Sequence, residues 1–334
     1  MQAMMLLEPG PVEKEPLAVS ELPDPEPGPG EIRIRVRACG ICHTDLHAVE
    51  GELELPRLPI IPGHQIVGVV DGIGEGVTRF GVGDRAGMPW LAGTCGECSF
   101  CRTGRENLCP DARFNGLHVD GGYAEFAIAA AEFAYPVPEG FDDVAAAPLL
   151  CAGIIGYRAL RLSDVPEGGR LGLFGFGASA HVTIQVARHL GYEVYVFTRS
   201  EEHQEHAKKL GAAWAGTSKD APGVKLDSAI NFTPAGQVAF DALSHLDRGG
   251  TVACAGIYQT PLPETPYEML YHERTIKSVA NFTRRDAEEL LEYAAEIPIK
   301  TEIQTFDLMD ANAALLALKK SEIRGAGVLV VSEG

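Results

Sequence analysis

The sequence predicts an α/β chain of two domains: a glycine-rich β-domain, and a parallel-sheet domain inserted between two pieces of it. Three observations carry this. Short apolar runs broken by glycine fill the chain to about residue 140, strands and helices alternate from about Cys151, and the last forty residues break that rhythm. With 334 residues and a 46% hydrophobic content there is material for about two buried cores.

The elements follow in order. The first thirty residues are crowded with proline and glycine, ending in ELPDPEPGPGE. From Glu31 to Arg37, Ile32, Ile34 and Val36 alternate with Arg33, Arg35 and Arg37, the period-two pattern of a half-buried strand. The run Ile66 to Val70 is followed by Gly72, Gly74, Gly76, Gly81 and Gly83, so this half stays β-rich. The apolar stretch Val144 to Tyr157 holds Pro148, Gly153 and Gly156 and falls short of the roughly 18 residues a membrane span needs. Alternating units come next. Leu171–Phe174 precedes helix Ser179–Leu190, Glu193–Phe197 precedes Glu201–Leu210, Leu226–Asn231 precedes Gln237–Leu246, and strand Thr251–Ala255 follows. Such alternation implies βαβ units and a parallel sheet. A helix over Met309–Lys320 and a strand over Ala326–Val331 then return to the first domain.

The N-terminus MQAMMLLEPG has no basic region before its apolar stretch and does not read as a secretion signal. A cytoplasmic, reducing location is expected, where clustered cysteines favour metal over disulfides. A net charge of −18 argues against nucleic acid as a partner, because phosphate binding needs a basic footprint.

Cys95, Cys98, Cys101 and Cys109 form a C-x2-C-x2-C-x7-C run within fifteen residues. Four thiolates so spaced suit one tetrahedral zinc, although iron–sulfur ligation also uses close cysteines. The segment RLGLFGFGASAH places Gly175, Gly177 and Ala180 as G-x-G-x-x-A between strand and helix. The first glycine permits the tight turn, the second lets a pyrophosphate approach, and the helix N-terminus favours the anion. The next strand ends in Thr198, Arg199 and Ser200, with no carboxylate for ribose hydroxyls. Arg199 can pair with a 2′-phosphate, which favours NADP(H) over NAD(H); the plainer alternative is a surface ion pair with Glu201 or Glu202.

Cys42 in ACGICHTDLH, His64 in PGHQ and Cys151 in PLLCAG also suit zinc, but their spacing alone does not group them. The motifs do: GICHTDLH, PGHQIVG, the four-cysteine run, PLLCAG and GFGASAH occur in the order seen in zinc-dependent alcohol dehydrogenases of the medium-chain dehydrogenase/reductase superfamily, which the whole chain resembles. The resemblance implies a GroES-like catalytic domain over 1–151 and 291–334, with a structural zinc lobe at about 93–111, and a Rossmann domain over 152–290. Cys42, His64 and Cys151 are then ligands of a catalytic zinc, and the four clustered cysteines hold a structural one. Thr44 matches the hydroxyl beside the bound alcohol, and His47 the histidine that receives its proton by way of the cofactor ribose. Asp45 matches the carboxylate behind the histidine ligand. Cofactor contacts fall to His43, Gly175, Gly177, Ala178, Ser179, Thr198, Arg199 and Ser200. Trp90 and Leu53 fall in the substrate pocket, where Leu53 in place of a second tryptophan suggests an opening wider than ethanol needs. The implied reaction is hydride transfer between NADP(H) or NAD(H) and a primary alcohol/aldehyde or simple ketone. The resemblance also implies a homodimer or homotetramer.

The chain departs from that pattern in places. Gln65 stands where glutamate is usual, Ile155 where many relatives have threonine, Ser179 where a larger aliphatic residue stands, and Arg324 is not in register with a C-terminal arginine. Cys39 and Cys254 read as core thiols, and His118, His181, His189 and His203 as packing or surface residues. A zinc-free quinone reductase of the same superfamily, a noncatalytic nucleotide-binding relative and a zinc-finger module are the competing readings. The ligand trio opposes the first, the filled relay positions the second, and charge and size the third.

Overall fold

In the computed structural model, which describes residues 1–257 and 259–331, the chain divides into two compact units: Met1–Cys151 with Phe282–Gly334, and Ala152–Asn281. The inserted-domain arrangement is thus present. The return to the first unit falls at Phe282, ahead of the expected 291. A boundary at 290 would cut helix Arg284–Glu296, whose Ala287, Leu290, Leu291 and Ala294 are buried and whose N-terminus is capped by Thr283 and Asp286.

The first unit is organised around strand Glu31–Ile41, longer than the alternating stretch that marks it. Ile32, Ile34 and Val36 are fully buried while Arg33 turns outward to Asp71 at 2.9 Å, as period two requires. Beyond Val36 both faces are covered, so Ala38, Cys39 and Ile41 lose the alternation and the pattern stops being readable. One edge of this strand pairs antiparallel with Gln65–Ile73. The other pairs first with Phe126–Ala130 and then with Ala326–Val330, on which Ile303–Asp307 lies in parallel.

The second unit holds a parallel six-stranded sheet in the order Trp214–Gly216, Glu193–Phe197, Arg170–Phe174, Leu226–Asn231, Leu246–Cys254, Thr275–Ser278. Numbered within the unit this is 3-2-1-4-5-6, the doubly wound Rossmann order, whose direction reverses beside Arg170–Phe174. Two of its strands escape sequence reading: Trp214–Gly216 has three residues, and Thr275–Ser278 contains no buried position to mark it. Helices Ala152–Leu162 and Ala178–His189 pack so closely that a Cβ on Gly156 would lie 2.2 Å from Thr183 Oγ1.

The apolar stretch at 144–157 proves longer than it looks in sequence. Asp143–Leu162 is 20 residues and, by length and composition, apolar enough to cross a membrane, but 67% of its most apolar window is buried inside the protein. It is also broken, into helix Asp143–Ala146, a 3-10 turn over Ala147–Leu150 that contains Pro148, and helix Ala152–Leu162. Burial and the break make it core.

Candidate metal and nucleotide sites

Cys42 ends the long strand and begins helix His43–Val49. Its backbone is extended and its sulfur accepts the Thr44 amide at 3.3 Å, while its own amide donates to Asp45 Oδ2 at 2.9 Å. The cap does two things at once, closing the helix and pointing Sγ inward. His64 Nε2 lies 3.3 Å from that sulfur, and Cys151 Sγ lies 4.0 Å from it. All three ligand atoms fall within 4.8 Å of one another. With metal bonds of about 2.0–2.3 Å a tetrahedral centre has edges of about 3.3–3.8 Å, so the spacing suits one ion with a fourth position open.

Electrostatics points the same way. The hydrogen bond from Cys151 and the charge of His64 hold the Cys42 thiol well below its ordinary value against the opposing effect of burial. Burial alone would depress His64, yet Asp45 and Cys42 outweigh it and hold its pKa well above the usual range. The same hydrogen bond with Cys42, and then burial, raises the Cys151 thiol well above its ordinary value. His64 Nδ1 faces Asp45 Oδ1 at 2.8 Å, both side chains 2% exposed, which leaves Nε2 as the nitrogen directed at a cation. Behind this pair Gln65 lies so close to Gly40 that a Cβ there would come within 2.8 Å of its amide, and Gln65 Nε2 is buried without a partner.

The other residues singled out in this region surround the trio. His43 is exposed, with its ring 6.3 Å from that of His47, and both Thr44 and His47 are half-buried. The amide of Leu53 donates to the His47 carbonyl at 3.2 Å. Trp90 stands 6.0 Å from the His64 ring and stacks on Phe114 at 4.4 Å, and Phe114 meets His118 edge-on at 5.4 Å. A row of half-buried rings therefore leads away from the metal ligands. Phe114 and the place of His118 in this row escape sequence reading, because the row exists only once Asn115 donates from its amide to the Trp90 carbonyl at 2.8 Å. Burial, with the charge of Arg113, lowers the His118 pKa.

In the loop, Cys95 and Cys109 sulfurs are 3.5 Å apart, as are Cys98 and Cys101, and Cys95 and Cys101 are 3.9 Å apart. These are again the edges of a tetrahedron about one ion. Backbone N–H groups of Glu97 and Cys98, first among the causes, lower the Cys95 thiol to about 7, whereas burial raises Cys109 to about 11. The loop is anchored through Glu106, a 5% exposed carboxylate that accepts the Arg284 amide at 2.7 Å.

In the second unit Gly175 takes φ +87° between strand and helix, and a Cβ there would lie 2.8 Å from Thr233 Cγ2. Gly177 is the helix N-cap with no side-chain cap, and a Cβ added to it would meet no atom within 4 Å, so the first amides of Ala178–His189 stand open for an anion. Ala178 and Ser179 are half-buried at this turn, and Ala180 is buried. Gln204 donates to the Thr198 carbonyl at 2.9 Å, and Ser200 caps helix Glu201–Lys209 through His203 N at 3.3 Å. Arg199 is exposed. Of the histidines set aside as packing, His181 is 3% exposed, with Nε2 unpartnered and its ring 6.1 Å from His206. Burial and the neighbouring His206 lower its pKa to about 4.

Comparison with known proteins gives concordant matches. Residues 28–139 match the family model described as alcohol dehydrogenase GroES-like domain, and residues 180–296 match that of zinc-binding dehydrogenase. A probable alcohol dehydrogenase, AdhA, of Mycobacterium tuberculosis is 46% identical over 99% of this chain and 97% of its own. The structure of a cobalt- and zinc-bound thermostable alcohol dehydrogenase from Pyrobaculum aerophilum superposes with TM-score 0.89 at 27% identity, covering 99% of both chains. That of CAD from Helicobacter pylori complexed with NADP(H) superposes with TM-score 0.87 at 25% identity, covering 98% of this chain and 97% of that one.

Proposed function

The chain belongs to the zinc-binding alcohol dehydrogenase family with a GroES-like domain, and on that premise we propose an NAD(P)-dependent enzyme that interconverts a primary alcohol and its aldehyde, or a simple ketone and its alcohol, at Cys42, His64 and Cys151. The observation that carries this reading is the convergence of two thiols and one imidazole, from three distant stretches of chain, within 4.8 Å and with a buried carboxylate behind the imidazole. A zinc ion there supplies Lewis acidity toward an alcohol or carbonyl oxygen, and the nicotinamide cofactor supplies the hydride acceptor or donor.

The chain's own residues do the rest. Cys42 offers a thiolate whose geometry the helix cap holds, and Asp45 fixes the His64 tautomer so that Nε2 is the donor. Thr44 holds the substrate hydroxyl and His47 takes the proton released on oxidation. His43, Ala178 and Ser179, with the turn at Gly175 and Gly177, bind the pyrophosphate end of the cofactor. Thr198, Arg199 and Ser200 bind the adenosine ribose, and the exposure of Arg199 supports a preference for NADP(H). Trp90 and Leu53 line the substrate pocket. The ring row Trp90, Phe114, His118 supports an alcohol larger than ethanol. The four cysteines of the loop hold a second, structural zinc. We place the enzyme in the cytoplasm as a homodimer or homotetramer. No observation favours the zinc-free reading.

Initial rates for a panel of alcohols and aldehydes with both cofactors, together with metal analysis, test this. Two zinc ions per chain and turnover of alcohols support it, and a metal-free active protein overturns it. Arg199→Ala should cut the NADP/NAD ratio of kcat/KM at least about tenfold, the scale of one lost charge-assisted pair. An unchanged ratio removes Arg199 from cofactor choice.

A further inference from the structure

His47 closes the first helix of the metal-binding unit, and the chain immediately folds back onto it. Gly51 turns at φ +78°, and the Glu52 amide then donates to the His47 carbonyl at 2.9 Å. This return carries the Glu52 carboxylate to His47 Nδ1 in a direct hydrogen-bonded pair, with the imidazole 16% and the carboxylate 47% exposed. Main chain and side chain of one residue thus grip main chain and side chain of another. The nearby charged groups are otherwise placed. Glu50 accepts from Val12 N at 3.0 Å and pairs with Lys319 at 2.8 Å, Lys319 also pairs with Glu13, and His43 stands 6.3 Å away ring to ring.

We propose that Glu52 is a positioning residue that holds His47 in one tautomer and connects it to solvent; this rests on the reading of His47 as the proton acceptor. A carboxylate at Nδ1 accepts the Nδ1–H, leaving Nε2 as the basic nitrogen. Oxidation of an alcohol sends a hydride to the cofactor and releases one proton. When Nε2 takes that proton the ring becomes an imidazolium, and the adjacent carboxylate stabilises it, as in any carboxylate–imidazole pair. The half-exposed carboxylate marks the side on which bulk water collects the proton; in aldehyde reduction the proton enters the same way.

The test uses the holoenzyme and four variants: Glu52→Gln, Glu52→Ala, His47→Gln and the Glu52→Gln/His47→Gln double. The pH dependence of kcat/KM is measured with a deuterated primary alcohol. Glu52→Gln removes charge while keeping a hydrogen-bond acceptor, and should displace the acidic limb of the profile toward lower pH. It should leave cofactor KM unchanged. In the His47→Gln background the same substitution should cost nothing further, because its effect passes through the imidazole. Nitrogen-15 spectra of the histidines give a readout apart from turnover: the wild type should show Nδ1–H at His47, and Glu52→Ala a mixture of tautomers. Superimposable pH profiles, or multiplicative losses in the double variant, overturn the proposal. A wild type without alcohol turnover overturns the functional reading alone, and the nitrogen spectra then still support or overturn the Glu52–His47 pairing.

Discussion

Cys151 shows what a single residue can and cannot reveal in sequence. Within PLLCAG it is indistinguishable from a buried core thiol, and it becomes a candidate metal ligand only through the resemblance and through its position 4.0 Å from Cys42. The four loop cysteines are the opposite case, because their spacing alone announces a tetrahedron. Cys151→Ser should abolish turnover and reduce bound zinc to one per chain while leaving the far-ultraviolet circular dichroism intact. Retained activity would exclude the trio as the reaction centre. Gln65 supplies a second test at this scale. Two thiolates and a neutral imidazole leave a divalent centre formally neutral, and the buried amide beside them adds no charge. Gln65→Glu should therefore raise the apparent pKa in the pH–rate profile of alcohol oxidation; a profile identical to wild type would show that this side chain does not feel the centre.

Elements were legible where polar residues bracket an apolar run. The strand and helix bounds around Glu193–Phe197 and Leu226–Asn231 coincide with the expected ones, and that around Ala178–His189 differs by a residue at each end, since polar residues punctuate them. Strand Leu246–Cys254 begins five residues before the expected Thr251, because its first half carries Asp247, Arg248 and two glycines and passes for a turn. Met309–Lys320 begins instead as a 3-10 turn over Leu308–Asp310, and the helix proper is Ala311–Lys319. The fold-back of Glu52 onto His47 left no periodic mark, as it depends on one glycine in a left-handed conformation. The same conformational demand at Gly175 can be tested. Gly175→Ala combines a positive φ with a Cβ 2.8 Å from Thr233, and should cost about 1–3 kcal/mol in denaturant unfolding. It should also raise the Kd for the cofactor, and an unaltered Kd would dissociate the turn from nucleotide binding.

At the scale of the molecule, pH should act through the buried His181. Its pKa is lowered to about 4 in the folded chain, whereas an unfolded histidine titrates near 6.5. Between those values the unfolded chain binds the extra proton, so stability is undiminished above about pH 6.5 and falls as the pH drops toward 4, by up to about 3 kcal/mol from this group. His181→Leu should flatten that decline in melting temperature. An equally steep decline in the variant would place the acid sensitivity elsewhere.

The strand Ala326–Val330 sits against Glu31–Ile41, nearly three hundred residues away in sequence, and completes the sheet that carries Cys42 at its end. During synthesis that sheet lacks this strand until residues 326–330 emerge from the ribosome, while the parallel sheet of the second unit already has its six described strands. The parallel-sheet unit can therefore be finished first, and the unit that carries Cys42, His64 and Cys151 waits for residues 326–330. Val328→Pro, which disrupts the pairing with Gly40, should accordingly damage metal retention long before it touches the nucleotide fold.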